Sequence, residues 1–427
     1  MQHQKQFVRQ SAAVLMACGL IASLLPGFAA AQDLPTRETH AARAGAIVPL
    51  DGPVLAGKPV TFRLNGNPSD PHWDLGDGAT ADGSSVNHTY QKPGVYRVVM
   101  GSKVGDTFNE LSSAIVRVHT PETLHLPQVL LDTDARNEQD DQHYIAYGLF
   151  SNVDVLGINS IHHGGHPEQE PMNYGEILYI LNRCRRSDLF LHRLENLMPQ
   201  AFHGAKVPLQ VPASGNWSDT QPVKSEASEA ILAAARGASP DNPVWVLPVG
   251  PCTNIASAIL LAREEGLDLK SRIKICWLGG GSEQVHVGSF NGRNDPWSVY
   301  VTGQSGVEFW IIWEPLSVKV HKRVESHIYP DNPLGRYLVA IMPASNKALM
   351  DQTTIHMVIG NHLGKHWLTL VEPSVVLGPD QEYRWKKVDS PTNVHFVRDI
   401  DEEAMKVDFI NTLNGKPTAL PPTRQKR

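Results

Sequence analysis

The sequence predicts two folded units of different class: a small β-sandwich over residues 45–120, then an α/β unit whose mostly parallel sheet is covered by helices on both faces. Three observations lead there. A chain of 427 residues is too long for one small domain and suits two. Residues 45–120 hold short β-branched and aromatic runs, "PVTFRLNG", "HWDLGDG", "VNHTYQKPGVYRVVMGSKV" and "SSAIVRVHT", broken by Gly, Asn, Asp and Pro turns at sandwich spacing. From Gln128 onward, continuous apolar runs alternate with stretches of helical periodicity.

The chain opens with Lys5 and Arg9, the apolar run "AAVLMACGLIASLLPGF", and "AAAQ". Ala29 and Ala31 satisfy the small-x-small rule, so residues 1–31 read as a signal peptide cleaved after Ala31, with a secreted or periplasmic product. The run is about 17 residues long and is interrupted by Gly19, Pro26 and Gly27, which is short for a membrane span. Cys18 inside it offers lipidation as the alternative. No later segment is long and apolar enough to span a bilayer. Acidic side chains outnumber basic ones, 44 to 38, and no Lys/Arg-rich block precedes the last few residues, which argues against a nucleic-acid-binding face. Cys184, Cys252 and Cys276 remain after cleavage, at spacings that fit neither a zinc site nor a disulfide framework. They read as buried thiols, or as one disulfide and one free thiol.

Residues 119–127, "HTPETLHLP", form a linker. In the α/β unit, expected over 128–414, "QVLLD", "VDVLGINSI", "NPVWVLPVG", "IKICWLGGG" and "VEFWIIWEP" are buried strands. The segments "DQHYIAYGLFS", "NYGEILYILNRC" and "TNIASAILLARE" are helices between them. Ligands of such sheets bind beyond the carboxyl ends of the strands. The polar tail 415–427 is expected to be disordered.

The stretch "LLDTDARNEQDDQHYIAYGLF" stands at that place and crowds Asp132, Asp134, Glu138, Asp140 and Asp141 into one strand-to-helix turn. A solvated loop accounts for most charge runs. A hard cation accounts for this one as well, because Ca²⁺ takes six to eight oxygen ligands, commonly from carboxylates. A D-x-D pair after a strand also occurs in phosphatases with an aspartyl nucleophile and in Mn²⁺-dependent nucleotide-sugar transferases. Neither explains the second pair, Asp140–Asp141. Helix capping by an acid explains part of the set, but four aspartates exceed what capping needs.

Two resemblances follow from these motifs. "WDLGDG" with "HTYQKPGVYRVVM" resembles the polycystic-kidney-disease (PKD) domain, an immunoglobulin-like module of secreted proteins. It implies a spacer or a polysaccharide- or surface-binding module, with Trp73 in the core, Asp77–Gly78 in a tight turn, and Tyr90 and Tyr96 on strand edges. "LLDTDARNEQDDQHYIAY", "VLPVGPCTNIASAI", "WLGGGSE", "SFNGRNDPWSV", "FWIIWEPLSV" and "MDQTTIHMVIG", in that order over about 128–390, resemble the nucleoside hydrolase family of calcium-dependent N-ribohydrolases. That resemblance implies Ca²⁺ held by the carboxylates of Asp134, Asp141 and Asp351 and by a main-chain oxygen near Thr253. It implies Asp140 as general base, Asp132 supporting the loop and Asn291 hydrogen-bonding the ribose of a small-molecule riboside. His162, His163 and His166 in "IHHGGHPE" either stand solvated or supply a proton donor beside the substrate, with His166 the candidate. The chain departs from the family at Ser289, where members have Glu, and at Met350, where several have His. The acid loop is also two residues longer. A non-catalytic carbohydrate- or nucleoside-binding protein that keeps the calcium pocket is the alternative.

Overall fold

The computed structural model describes residues 45–420, except 49, 51–52, 67, 105–106, 122, 165, 188–198, 281–288, 314–315, 322–325, 366 and 376–382. The expected signal segment and residues 421–427 lie outside the described residues. No helix among the described residues is long and apolar enough to cross a membrane.

The first seven strands are β1 (Val54–Leu55), β2 (Val60–Arg63), β3 (Pro71–Asp74), β4 (Thr80–Asp82), β5 (Ser85–His88), β6 (Gly94–Val104) and β7 (Thr107–His119). A five-stranded sheet in the order β1-β7-β6-β3-β4 accompanies a two-stranded sheet, β2-β5. Residues one apart on a strand face opposite sides, so Phe62 of β2 and Trp73 of β3 each turn inward. Both are fully buried, with ring centroids 6.0 Å apart. Asp77 Oδ1 accepts from Ala79 N–H and Gly78 has φ +91°, which makes the expected tight turn. Gly76 (φ +82°) is required for a different reason: a Cβ there would lie 2.7 Å from the Arg97 carbonyl oxygen of β6. Tyr90 differs from the strand-edge position expected of it. Its hydroxyl donates to the Leu75 carbonyl at 2.9 Å, which satisfies the polar end and lets the ring be fully buried.

The second unit is built on a nine-stranded sheet. Its strands are β8 (Gln128–Thr133), β9 (Asp154–Ser160), β10 (Gln200–Phe202), β11 (Val244–Pro248), β12 (Ile273–Gly280) and β13 (Glu308–Trp313), followed later in the chain by β16 (Trp367–Val375), β17 (Tyr383–Lys387) and β18 (Val394–Asp399). The spatial order is β10-β9-β8-β11-β12-β13-β18-β16-β17. Pairing is parallel from β10 to β18, and β16 and β17 add an antiparallel edge. A separate antiparallel pair joins β14 (Val318–His321) to β15 (Asn346–Leu349).

The helices are α1 (Asp140–Phe150), α2 (Gln169–Arg185), α3 (Glu226–Gly237), α4 (Thr253–Glu264), α5 (Phe290–Asn294), α6 (Pro296–Gln304), α7 (Pro333–Ile341), α8 (Gln352–His362) and α9 (Glu402–Leu413). They form two separate cores, one on each face of the sheet. Val129 and Leu131 of β8 pack with α1, α2, α8 and α9, whereas Leu130 joins the core of α3, α4 and α6. Burial on both faces is why these strands read as continuous apolar runs rather than alternating ones.

Cys184, Cys252 and Cys276 are all free and buried. Residues 415–420, expected to be disordered, are instead tied down. Thr418 N–H donates to Asp408, its carbonyl accepts from Asn152, and Leu420 packs on the core of α1 and α9. An ion pair between Arg117 of β7 and Asp154 of β9 links the sandwich to the large sheet.

Candidate metal centre and active site

Strand β8 ends at Thr133, and the chain turns over the carboxyl edge of the sheet through Asp134 before α1 begins at Asp140. Asp140 and Asp141 occupy the first turn of α1, whose N-cap Gln139 makes no side-chain cap bond. Asp351 stands at the N-cap of α8 and also makes no side-chain cap bond. Helix N-termini carry partial positive charge, so α1 and α8, which pack together, favour carboxylates at this point. Asp140, Asp141 and Asp351 each present an oxygen within 4.8 Å of the other two. More than two hundred residues of chain separate Asp351 from the first pair, and the sheet order closes that gap.

Asp132, Asp134, Asp140, Asp141 and Asp351 are all buried, the most accessible being Asp351 at 5%. Burial pushes their carboxyls above the ordinary range, Asp132 to about 7 and Asp141 to about 8, with the charge of Asp140 adding to the shift of Asp141. Asp134 and Asp351 are raised well above it by burial and by their acidic neighbours. Asp140 is raised by burial while Lys347 opposes the shift. Neighbouring donors fix the acids in different ways. Asp141 accepts from Thr133 Oγ1 at 2.6 Å and from Glu138 N–H at 3.3 Å. Asp132 Oδ2 accepts from Asn254 of α4 at 2.9 Å and from Asn159 of β9 at 3.2 Å, which ties the end of β8 to both. Asp134 Oδ2 finds no hydrogen-bond partner among the described residues. A Cβ on Gly250, in the turn after β11, would lie 3.3 Å from the Asp134 carboxyl and 2.7 Å from Ile161.

These residues fit a hard divalent cation. Oxygen donors gathered from distant segments, a buried carboxylate oxygen without a partner, and four mutually repelling acids are what such an ion needs and neutralises. One cation is already present in the protein, and the sequence did not single it out. Lys347 of β15 is 8% exposed, with Nζ 3.0 Å from Asp140 Oδ1 and a second ion pair to Glu138. A lone Lys in a short strand carries no local signal that it meets an acid two hundred residues earlier.

Thr253 begins α4 beside this cluster. Its hydroxyl donates to Asp295 Oδ2 at 2.7 Å and lies 3.0 Å from His162 Nε2. Because the single hydroxyl proton goes to Asp295, His162 carries its proton on Nε2. Burial lowers this ring to about 4, so it is neutral near pH 7, and its Nδ1 has no partner among the described residues. His163 contacts Asn173 at 3.1 Å. His166 is not brought to the cluster: its side chain is two-thirds exposed and lies 3.9 Å from Glu168. Asn291 donates both amide hydrogens, to the Val249 and Leu278 carbonyls at 2.7 and 2.9 Å, so only its Oδ1 is left for another group. Ser289, at the Glu position of the family motif, caps α5 by accepting from Gly292 N–H at 3.0 Å and donates to the Gly279 carbonyl.

Buried aspartates gathered at the carboxyl edge of a mostly parallel α/β sheet form a candidate metal centre of an α/β protein. The model of the inosine-uridine preferring nucleoside hydrolase family matches residues 129–407, and this chain belongs to that family. It is therefore a hydrolase acting on N-glycosyl compounds, from a metal-dependent family. A PKD domain model matches residues 51–112, so the sandwich is an immunoglobulin-like PKD domain. No curated protein matches in sequence. Among solved structures, a purine-preferring ribonucleoside hydrolase from Gardnerella vaginalis is similar with a TM-score of 0.53 at 18% identity, over 67% of this chain and 98% of that one. A plant nucleoside hydrolase is similar with a TM-score of 0.50 at 16% identity, over 67% of this chain and 98% of its own. An inosine-guanosine nucleoside hydrolase gives 0.50 at 18%, over 68% and 98%. At these identities the structural likeness establishes the fold.

Proposed function

We propose that the chain is a secreted, calcium-dependent hydrolase of N-ribosyl bonds in nucleosides or related ribosides. Its PKD unit over 45–120 would stand ahead of a catalytic unit over 128–414. Asp134, Asp141, Asp351 and a main-chain oxygen near Thr253 are assigned as calcium donors, and Asp140 as general base. The observation that carries this reading is the buried meeting of Asp140, Asp141 and Asp351 beside the partnerless Asp134 oxygen. The PKD domain and the signal-like residues 1–31 support export.

Calcium bound there would hold the ribose 2′- and 3′-hydroxyls and a water, lowering that water's pKa. The protein's own groups do the rest. Asp140 accepts the water's proton as the anomeric carbon is attacked and the N-ribosyl bond breaks, its electron pair leaving with the base. The surrounding carboxylates stabilise an oxocarbenium-like transition state. Asn291 serves as an acceptor for a ribose hydroxyl, because its donors are already used.

A second reading is favoured by one observation: Ser289 is consumed as a helix cap and Asn291 as a double donor, which thins the ribose contacts. On that reading the protein binds nucleosides or carbohydrates without turning them over. Amide substitutions of the adjacent aspartates separate the two. Asp140→Asn should leave riboside and calcium binding near normal and lower turnover ~10²-fold or more. Asp141→Asn should weaken binding and turnover together, with partial recovery in added calcium. The measurement is base release from purine, pyrimidine and nicotinamide ribosides in millimolar calcium. Wild-type protein that binds ribose, cleaves nothing on this panel and is indifferent to Asp140→Asn would falsify the hydrolase reading.

A further inference from the structure

The loop that leaves β9 carries His162, His163 and His166, and their rings are committed in different ways. His162 is buried against Thr253, and His166 lies out beside Glu168. His163 is partly exposed, and its Nδ1 faces Asn173 Nδ2 of α2 at 3.1 Å. Asn173 is fully buried, and its amide has one possible orientation. Oδ1 accepts from Arg136 N–H of the acid loop at 3.1 Å, and Nδ2 donates to the Ile161 carbonyl at 2.7 Å. The second hydrogen on Nδ2 therefore points at His163, whose Nδ1 meets it with a lone pair. The proton of the neutral ring sits on Nε2, which has no partner among the described residues. Protonating Nδ1 as well would set two donors face to face. Burial, and then the charge of His166, also lower this ring's pKa.

The same loop is fixed on its other side by α5. Gly164 N–H donates to Asn294 Oδ1 at 3.0 Å, which leaves Asn294 Nδ2 buried with no partner among the described residues. Ile161, at the root of the loop, lies against the acid cluster: a Cβ on Gly250 would stand 2.7 Å from Ile161 and 3.3 Å from the Asp134 carboxyl. The loop offers N–H donors, whereas the open atoms of the acid pocket, Asp134 Oδ2 and Asn291 Oδ1, accept.

We infer that His163 Nε2–H is the hydrogen-bond donor to the leaving base of a purine or pyrimidine riboside, with Asn173 as the positioning residue that fixes its tautomer. The inference rests on the hydrolase reading above. Sugar hydroxyls bring hydrogens and suit the acceptors, while a base brings carbonyl oxygens and ring nitrogens that suit a donor. When the N-ribosyl bond breaks, its electron pair moves onto the base and spreads to those same atoms. The hydrogen bond from Nε2 therefore strengthens toward the transition state, which lowers the barrier instead of only improving binding. Nε2 keeps its proton throughout, and the departed base takes one from solvent.

The test uses full-length wild type, His163→Ala and His163→Gln in millimolar calcium, with kcat and KM measured on inosine and uridine. Two further ribosides serve as controls because their leaving groups need no such help. Nicotinamide riboside releases a neutral pyridine, and 4-nitrophenyl riboside releases a phenolate that is already stabilised. His163→Ala should lower kcat ~10²-fold on inosine or uridine with little change in KM, and by less than ~3-fold on either control. His163→Gln keeps an N–H at similar reach and should recover part of the loss. In NMR of protein labelled at the histidine nitrogens, the ring signals absent from His163→Gln should show a protonated Nε2 and an unprotonated Nδ1. Equal losses on bases and controls identify a merely structural histidine and overturn the inference alone. So do an Nδ1-protonated ring, an unaffected His163→Ala, and wild type that cleaves only the controls. Wild type that cleaves none of these ribosides overturns the hydrolase reading and this inference with it. Should His163→Ala not fold, His163→Phe keeps the volume of the ring and carries the same comparison.

Discussion

In the sandwich, Asp74 and Asp77 sit at the surface and accept the N–H groups of Gly76 and Ala79, while Asp77 and Asp82 face His88 and His72. In the α/β unit, Asp132, Asp134, Asp140, Asp141 and Asp351 are 5% exposed or less, and a single described lysine, Lys347, ion-pairs with one of them. The first arrangement is ordinary turn chemistry: each acid satisfies a local donor and remains in water. The second works against folding, because a buried ionised carboxylate costs several kcal/mol even after relaxation. Acids that stability alone would not gather mark a candidate functional site.

Three experiments bear on that contrast. The largest effect expected is in the sandwich core. Trp73 is fully buried against Phe62, and its Nε1–H donates to the Gly83 carbonyl at 2.8 Å. Trp73→Ala should cost the sandwich about 3–5 kcal/mol, seen as a lowered transition in calorimetry, with riboside turnover unchanged. A matching loss of kcat would show that the two units are not separable in this way.

Next is the pH dependence of the metal-free protein. Asp132 and Asp141 titrate near 7 and 8 when folded, against about 3.9 unfolded. The folded state therefore keeps protons that the unfolded chain releases. Stability from these groups is fully present below about pH 4 and is lost as pH rises toward 8. In EDTA the melting temperature should fall between pH 5 and pH 8. Excess calcium should restore it by a margin that widens with pH. A flat profile in EDTA would show that the acids are not strained without an ion.

The smallest effect belongs to an exposed acid. Asp77→Ala removes one turn bond and the contact with His88, and should cost about 1 kcal/mol. Its cost should show no dependence on calcium. If adding calcium changed it, the sandwich would have a metal site of its own and the contrast would fail.

Much of the site was legible from the chain because its central part is local. Asp132 through Asp141 span one strand end, one loop and one helix start, and apolar periodicity marks both flanking elements. The strands over 128–133, 154–160, 244–248, 273–280 and 308–313 lie where continuous apolar runs place them. Strands β10 and β14 to β18 and helices α3 and α5 to α9 went unread: β10, at three residues, is too short for a period to show, and a stretch of chain does not reveal what the others pack against. The same limit explains Tyr90, whose burial depends on a carbonyl fifteen residues earlier, and residues 415–420, whose order depends on Asp408 and Asn152.

By itself the sequence determined the two fold classes, the crowding of acids at a strand-to-helix turn, and the pairing of Asp140 with Asp141 at a helix start. These follow from side-chain period and from neighbours within a few residues. The motif "MDQTTIHMVIG" already pointed to Asp351, whereas only the tertiary structure decided that Lys347 takes Asp140. It also decided that Asn291 has spent its donors on Val249 and Leu278, and that His162 rather than His166 lies buried against Thr253. Each of these is a meeting of groups far apart in the chain, set by the order in which parallel strands are laid side by side. Local pattern specifies a strand and its faces, whereas its neighbours are chosen by the packing of the whole sheet.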